Sequence, residues 1–203
     1  MNNENGIHNS FEILERRVLD IKTHFKMDEL KFKSLELEPL NDCDYDQIRA
    51  YIALCHAEFE SYLEQHATDV VDKALLLWTN GRKPTLPLIA LFAHFEHIEK
   101  NDNTTQKIHM ITSRFKRGVI KQNNGIKSEN IRKLFVPIGV DFDEIDSAWT
   151  STLDSYGAKR GETVHMSAKV QQPLDISTVL ADTEIVKNGI KDFELLILNL
   201  IDS

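Results

Sequence analysis

The chain has 203 residues, 24 basic against 32 acidic for a net charge of −8, and 41% of it is apolar. That balance suits one globular domain with a real core, and it excludes both a disordered chain and a nonspecific coat for nucleic acid. No apolar run approaches the ~20 residues of a membrane helix, the polar opening MNNENGIHNS lacks an export pattern, and Cys43 and Cys55 make neither a disulfide framework nor a zinc-finger spacing, so the expectation is a cytoplasmic protein with no membrane partner and no cofactor.

Strict apolar/polar alternation is rare, and helical spacing recurs along the whole chain. A first helix is predicted from Ser10 to about Lys33, followed by the turn-rich link EPLNDCDYD. This helix and linker, residues 1–44, precede a helical domain over 45–203, and the two are expected to form one compact unit. A long helix covers about 46–79, where Ile52, Cys55, Phe59, Tyr62, Val70, Ala74 and Leu77 step mostly by three or four, with a bend or break expected near Thr68. Gly81 and Pro84 end it. Pro87 opens the short apolar helix PLIALFAHFEHI, and EKNDNTT follows as a loop.

The next predicted helix, about 104–122, has two stripes. Ile108, Ile111, Phe115 and Val119 face the core, while Lys107, Arg114, Arg117 and Lys121 cluster roughly a third of a turn away. QNNG closes it, with Gly125 as a left-handed cap. Ser128 is the expected N-cap of a short helix stopped by Pro137 and Gly139. Asp141 or Asp143 caps the following helix, which buries Ile145, Trp149, Leu153 and Tyr156 and runs on through SYGAKRGETVHMSAK. VQQPLD separates it from a last helix, about 176–201, on which Val179, Val186, Ile190, Phe193, Ile197 and Leu200 keep a three-four rhythm. The sum is an all-α, single-domain bundle of six to seven helices.

Charge is unevenly spread. Acids crowd residues 28–46, whereas Arg114, Lys116, Arg117, Lys121, Lys127, Arg132 and Lys133 make residues 113–133 basic. His94 and His97 in AHFEH have Glu96 and Glu99 beside them, but an i,i+3 histidine pair without a third ligand assigns no metal. No Gly-rich phosphate loop and no Gly-x-Ser-x-Gly elbow is present, which leaves nucleotide-triphosphate hydrolysis and serine esterase chemistry without support. His56 reads as structural. Glu58, Glu60 and Glu64 read as the exposed edge of a long helix before they read as partners of another site.

Three stretches carry a resemblance: IRAYIALCHAEFESYLE at 48–64, GIKSENIRKLFVPIGVDF at 125–142, and KRGETVH at 159–165, in which Arg160 is followed after four residues by His165. Over roughly residues 45–200 the chain resembles the HEPN superfamily, and within it the RiboL-PSP-type HEPN domains. The resemblance implies a metal-independent endoribonuclease in which Arg160 and His165 of two protomers meet in a groove at a homodimer interface. It also implies a role as a toxin or effector of prokaryotic defence, with RNA as substrate and an antitoxin or defence-system protein as partner. Lys159, Lys107, Arg114, Arg117 and Lys121 are then the candidates for holding RNA, and Glu58 and Glu162 the candidates for orienting the pair. Gly161 departs from the usual polar residue after the arginine, and it favours a rival reading as a catalytically inactive dimerisation or nucleic-acid-binding module.

The residue types suit that chemistry. RNA supplies its own nucleophile, the 2′-hydroxyl, so cleavage needs proton transfers and stabilisation of a crowded phosphorane. Histidine titrates near working pH, and the planar arginine fork stays charged and donates two parallel bonds. Five residues along a helix correspond to ~7.5 Å of rise and ~140° of rotation. Arg160 and His165 therefore do not share one narrow face, whereas a groove flanked by two copies of the helix can receive both.

Overall fold

The computed structural model describes residues 5–36, 39–95, 103–165 and 174–202. Among them are eight α-helices and no strand, the all-α architecture that the spacing predicts. The first predicted helix is two. α1 (Asn5–His24) buries Phe11, Leu14, Val18 and Ile21 at three-four spacing, and α2 (Met27–Leu35) buries Met27 and Leu30. Between them Lys26 adopts a left-handed backbone, φ 51°, and turns the chain. Continuing α1 straight would leave Met27, now fully buried, without its place in the core.

α3 (Asp42–Gly81) is the axis of the molecule, about 60 Å long at ~1.5 Å per residue. A capping box opens it: Asn41 Oδ1 accepts from Asp44 N, and Asp44 Oδ2 accepts from Asn41 N at 2.8 Å. Lys33 of α2 reaches the same Asp44 carboxylate at 2.7 Å and, with the cap, holds its pKa below the usual carboxylate range. Ile48, Tyr51, Ile52, Cys55, Phe59, Leu63, Ala67, Val70 and Val71 are buried along it. No break falls near Thr68: α3 is continuous through it, and the Thr68 hydroxyl donates to the Glu64 carbonyl one turn back, at 2.8 Å. α3 ends at Gly81 as expected, and Arg82, φ 54°, then turns the chain with its guanidinium over the Trp78 ring.

The remaining helices wrap this axis. α4 (Leu86–His94) starts on Pro87, where a missing N–H costs nothing. α5 (Thr104–Gly118) is capped by Asn103 and buries Ile108, Ile111 and Phe115; it ends four residues short of the expected boundary, and a 3-10 turn, Ile120–Gln122, follows. α6 (Ser128–Phe135) leads through a 3-10 turn at Val136–Ile138 to Gly139, φ 101°, where a Cβ would press on Leu86 Cγ at 3.0 Å. α7 (Ser147–His165) and α8 (Ile176–Asp202) complete the bundle.

Two caps differ from those expected. Ser128 does not cap α6 with its own side chain. The Asp154 carboxylate of α7 accepts from Ser128 N at 2.8 Å and from its hydroxyl at 2.9 Å. Asp141 caps only a 3-10 turn, Phe142–Glu144, and Asp146 accepts from Ala148 N at 2.9 Å as α7 begins. Ile145 accordingly lies before α7 and is only half-buried.

α3 packs against α1, α4, α5, α6, α7 and α8, and one apolar core runs from Phe11 to Leu200. Tyr156 of α7 lies edge-on to Phe59 of α3, ring centres 6.0 Å apart, and fixes how α7 crosses the axis. Among the described residues no helix is long and apolar enough to cross a membrane.

Candidate active site

Arg160 lies on the last part of α7, half-buried, in a helix that continues without interruption to His165. The side chain of His165 lies outside the described residues. The backbone of α7 keeps the five-residue helical offset between the two positions, so they differ in height and direction along it.

Arg160 is placed by the α3–α7 contact. The α3 side chains in its field are His56 and Glu60. His56 is 3% exposed, its Nδ1 has no hydrogen-bond partner among the described residues, and the Glu60 carboxylate is 3.8 Å away. Burial pushes the His56 pKa down to about 4, and the neighbouring Arg160 charge pushes it the same way. The imidazole is therefore neutral at physiological pH and adds no charge beside the guanidinium. Burial raises the Glu60 pKa, while the Gly125 N–H that donates to it and the Arg160 charge act in the opposite sense.

The loop after α5 supports these carboxylates. Asn123 Nδ2 donates to Glu64 Oε1 and to the Gly125 carbonyl, both at 2.9 Å, and its own Oδ1 accepts from Asn130 Nδ2 at 3.0 Å. Gly125, φ 132°, is thus not the cap of α5. It brings a backbone N–H to Glu60 in a conformation that side-chain-bearing residues avoid.

The other candidate residues are dispersed. Glu58 points elsewhere on α3, where Arg17 of α1 donates to its Oε1 at 3.2 and 2.9 Å. Glu162 is exposed on α7. Lys159 is ion-paired to Asp182 of α8. Lys107 lies 5.5 Å from the Phe92 ring centre, Arg114 and Arg117 line a shallow groove with Met110 and Ser113, and Lys121 is exposed on the 3-10 turn beyond α5. His94 ends α4 in an exposed position and His97 lies outside the described residues. Among the described residues no group of three or more His, Cys, Asp or Glu side chains is placed to hold a metal ion.

Two glycines on α7 have unequal surroundings. A Cβ at Gly157 would meet the Lys127 side chain at 2.8 Å, whereas one at Gly161 would have nothing within 4 Å. The helix face just after Arg160 is therefore open.

His56 and Glu60 were not singled out by sequence reasoning as companions of Arg160. The available signal was the four-residue spacing of His56, Glu60 and Glu64, which puts them on one edge of α3. A model of the family described as RiboL-PSP-HEPN matches residues 16–199. Comparison with curated proteins and with solved structures gave no match.

Proposed function

The chain belongs to the RiboL-PSP-HEPN family, and from that premise we propose that it is a metal-independent endoribonuclease whose catalytic pair is Arg160 and His165. The observation that carries this reading is the Arg-x4-His spacing on one unbroken helix, with Arg160 half-buried in the field of His56 and Glu60 and an open helix face at Gly161. Two copies of α7 facing one another across a two-fold axis would bring both pairs to a single phosphodiester. His165 takes the 2′-hydroxyl proton, the 2′-oxygen attacks phosphorus, and the Arg160 fork neutralises the charge that builds on the phosphorane. The 5′-oxygen leaves as it gains a proton, from the partner protomer's imidazole, and the ends are a 2′,3′-cyclic phosphate and a 5′-hydroxyl. Arg114, Arg117 and Lys121, with Lys107 and Lys159 beyond them, supply phosphate contacts. Such an enzyme fits a cytoplasmic toxin or defence effector restrained by a protein partner.

The test is incubation of the purified chain with labelled RNA in EDTA, beside Arg160→Ala and His165→Ala. Cleavage by the native chain and its loss in both variants is expected. No cleavage by any of the three, or equal cleavage by all, overturns the reading. Gly161 favours one alternative, a dimerisation or RNA-binding module without cleavage, and retained RNA binding by a chain that never cuts would establish it.

A further inference from the structure

A cleft of 670 Å³ opens between the loop after α5 and the α6 helix with its following turn. Its size lies inside the ~300–1,000 Å³ usual for small-molecule sites. Four carboxamides line it: Gln122, Asn123, Asn124 and Asn130. Two of these are committed internally. Asn130 donates to Asn123, and Asn123 donates to Glu64 and to the Gly125 carbonyl, which makes a rigid wall. The other two, Gln122 and Asn124, are exposed, and no hydrogen bond involves their side chains among the described residues. Val119 and Pro137 add apolar surface, and Arg132 stands at the same cleft with its guanidinium 3.9 Å from the Phe142 ring centre.

We propose that this cleft reads an unpaired adenine of a single-stranded RNA. A carboxamide presents a donor and an acceptor side by side, and adenine presents their complement at N6 and N7. The apolar wall suits the face of the base. Arg132, steadied by its aromatic neighbour, offers its N–H groups to a flanking phosphate. The loop that carries the amides is tied through Gly125 to Glu60, which lies in the field of Arg160. Cleft and catalytic helix are thus two faces of one support, so a base held in the first positions the strand that reaches the second. The choice of RNA as occupant rests on the reading under Proposed function; the amide lining of the cleft does not.

The experiment uses the full chain and four fluorescent 2′-O-methyl homopolymer oligonucleotides, which cannot be cut, with binding read by anisotropy. The native chain should bind the adenine oligomer about tenfold more tightly than the pyrimidine ones. The double variant Gln122→Ala, Asn124→Ala should lose that preference while keeping the native melting temperature. Equal binding of all four oligomers by the native chain, or an unchanged preference in the double variant, overturns the proposal. Adenosine monophosphate that competes as strongly as the oligomer overturns the strand and leaves a free nucleotide. An amide-dependent adenine preference in a chain that cuts no RNA sustains the cleft and removes the nuclease; His165-dependent cleavage without base preference does the reverse.

Discussion

Gly189 of α8 sits against the indole of Trp149, so close that an added Cβ would lie 2.1 Å from Trp149 Cδ1 and 2.3 Å from its Nε1. Carbon atoms need ~3.5–4.0 Å. Gly189→Ala must therefore move either the ring or the helix by more than an ångström. The ring has no easy exit. Trp149 is 4% exposed, tilts against Phe193 at 5.4 Å between centres, and donates Nε1 to the Val186 carbonyl at 3.2 Å. Overpacking of this kind costs about 1–3 kcal/mol, and leaving the buried indole donor unpaired costs about 1–3 kcal/mol more. Alanine returns about 1 kcal/mol of helix propensity. The expected net loss is about 1–5 kcal/mol, read as a fall of about 2–20 °C in melting temperature for a chain of this size. Far-UV circular dichroism during a thermal ramp measures it. Gly161→Ala is the matched comparison: the same change on a neighbouring helix with nothing within 4 Å, expected to raise stability by up to ~1 kcal/mol. Gly189→Ala melting at or above the native temperature, or Gly161→Ala falling as far, would refute the packing of α7 on α8 described here.

Acid should expose the buried histidine. The His56 pKa is about 4 in the fold against an ordinary 6.5, so the unfolded chain binds the extra proton and stability falls as pH drops from about 6.5 towards 4, by up to about 3 kcal/mol. Glu60, with its pKa raised, contributes with the opposite sign and is present in both proteins compared. Urea midpoints at pH 7 and near pH 4.5 should therefore separate less for His56→Gln than for the native chain; equal separations would remove the account. Asp154→Ala should cost about 1–2 kcal/mol through the lost cap on α6, and Asp154→Asn should recover part of it in a denaturant titration. A loss confined to the surface-substitution range of about 0.5 kcal/mol would mean that the Ser128 backbone finds water instead.

The faces of the helices were legible because a helix writes its period locally. Val179, Val186, Ile190, Phe193, Ile197 and Leu200 are all buried on α8, as their spacing required. The turn at Lys26 was not, since a lysine in left-handed backbone carries no compositional mark and only the burial of Met27 and Leu30 against the rest of the core makes it worthwhile. The cap on α6 was misread for a similar reason: Ser128 has the right chemistry, but Asp154, twenty-six residues away, supplies the acceptor. The same division runs through the candidate site. Arg160 and His165 were proposed from the resemblance carried by three ordered stretches, while the choice of Glu60 over Glu58 as the carboxylate near Arg160 depended on which edge of α3 meets α7.

By itself the sequence determined the helical class, the family, and the offset between Arg160 and His165, because each is set by residues a few positions apart or by the order of segments. The tertiary structure alone decided what surrounds Arg160. A neutral His56, a raised Glu60 and the Gly125 loop come together only after Phe59 and Tyr156 pack α3 against α7, and contacts between distant segments follow from how apolar surfaces fit, which no local period encodes.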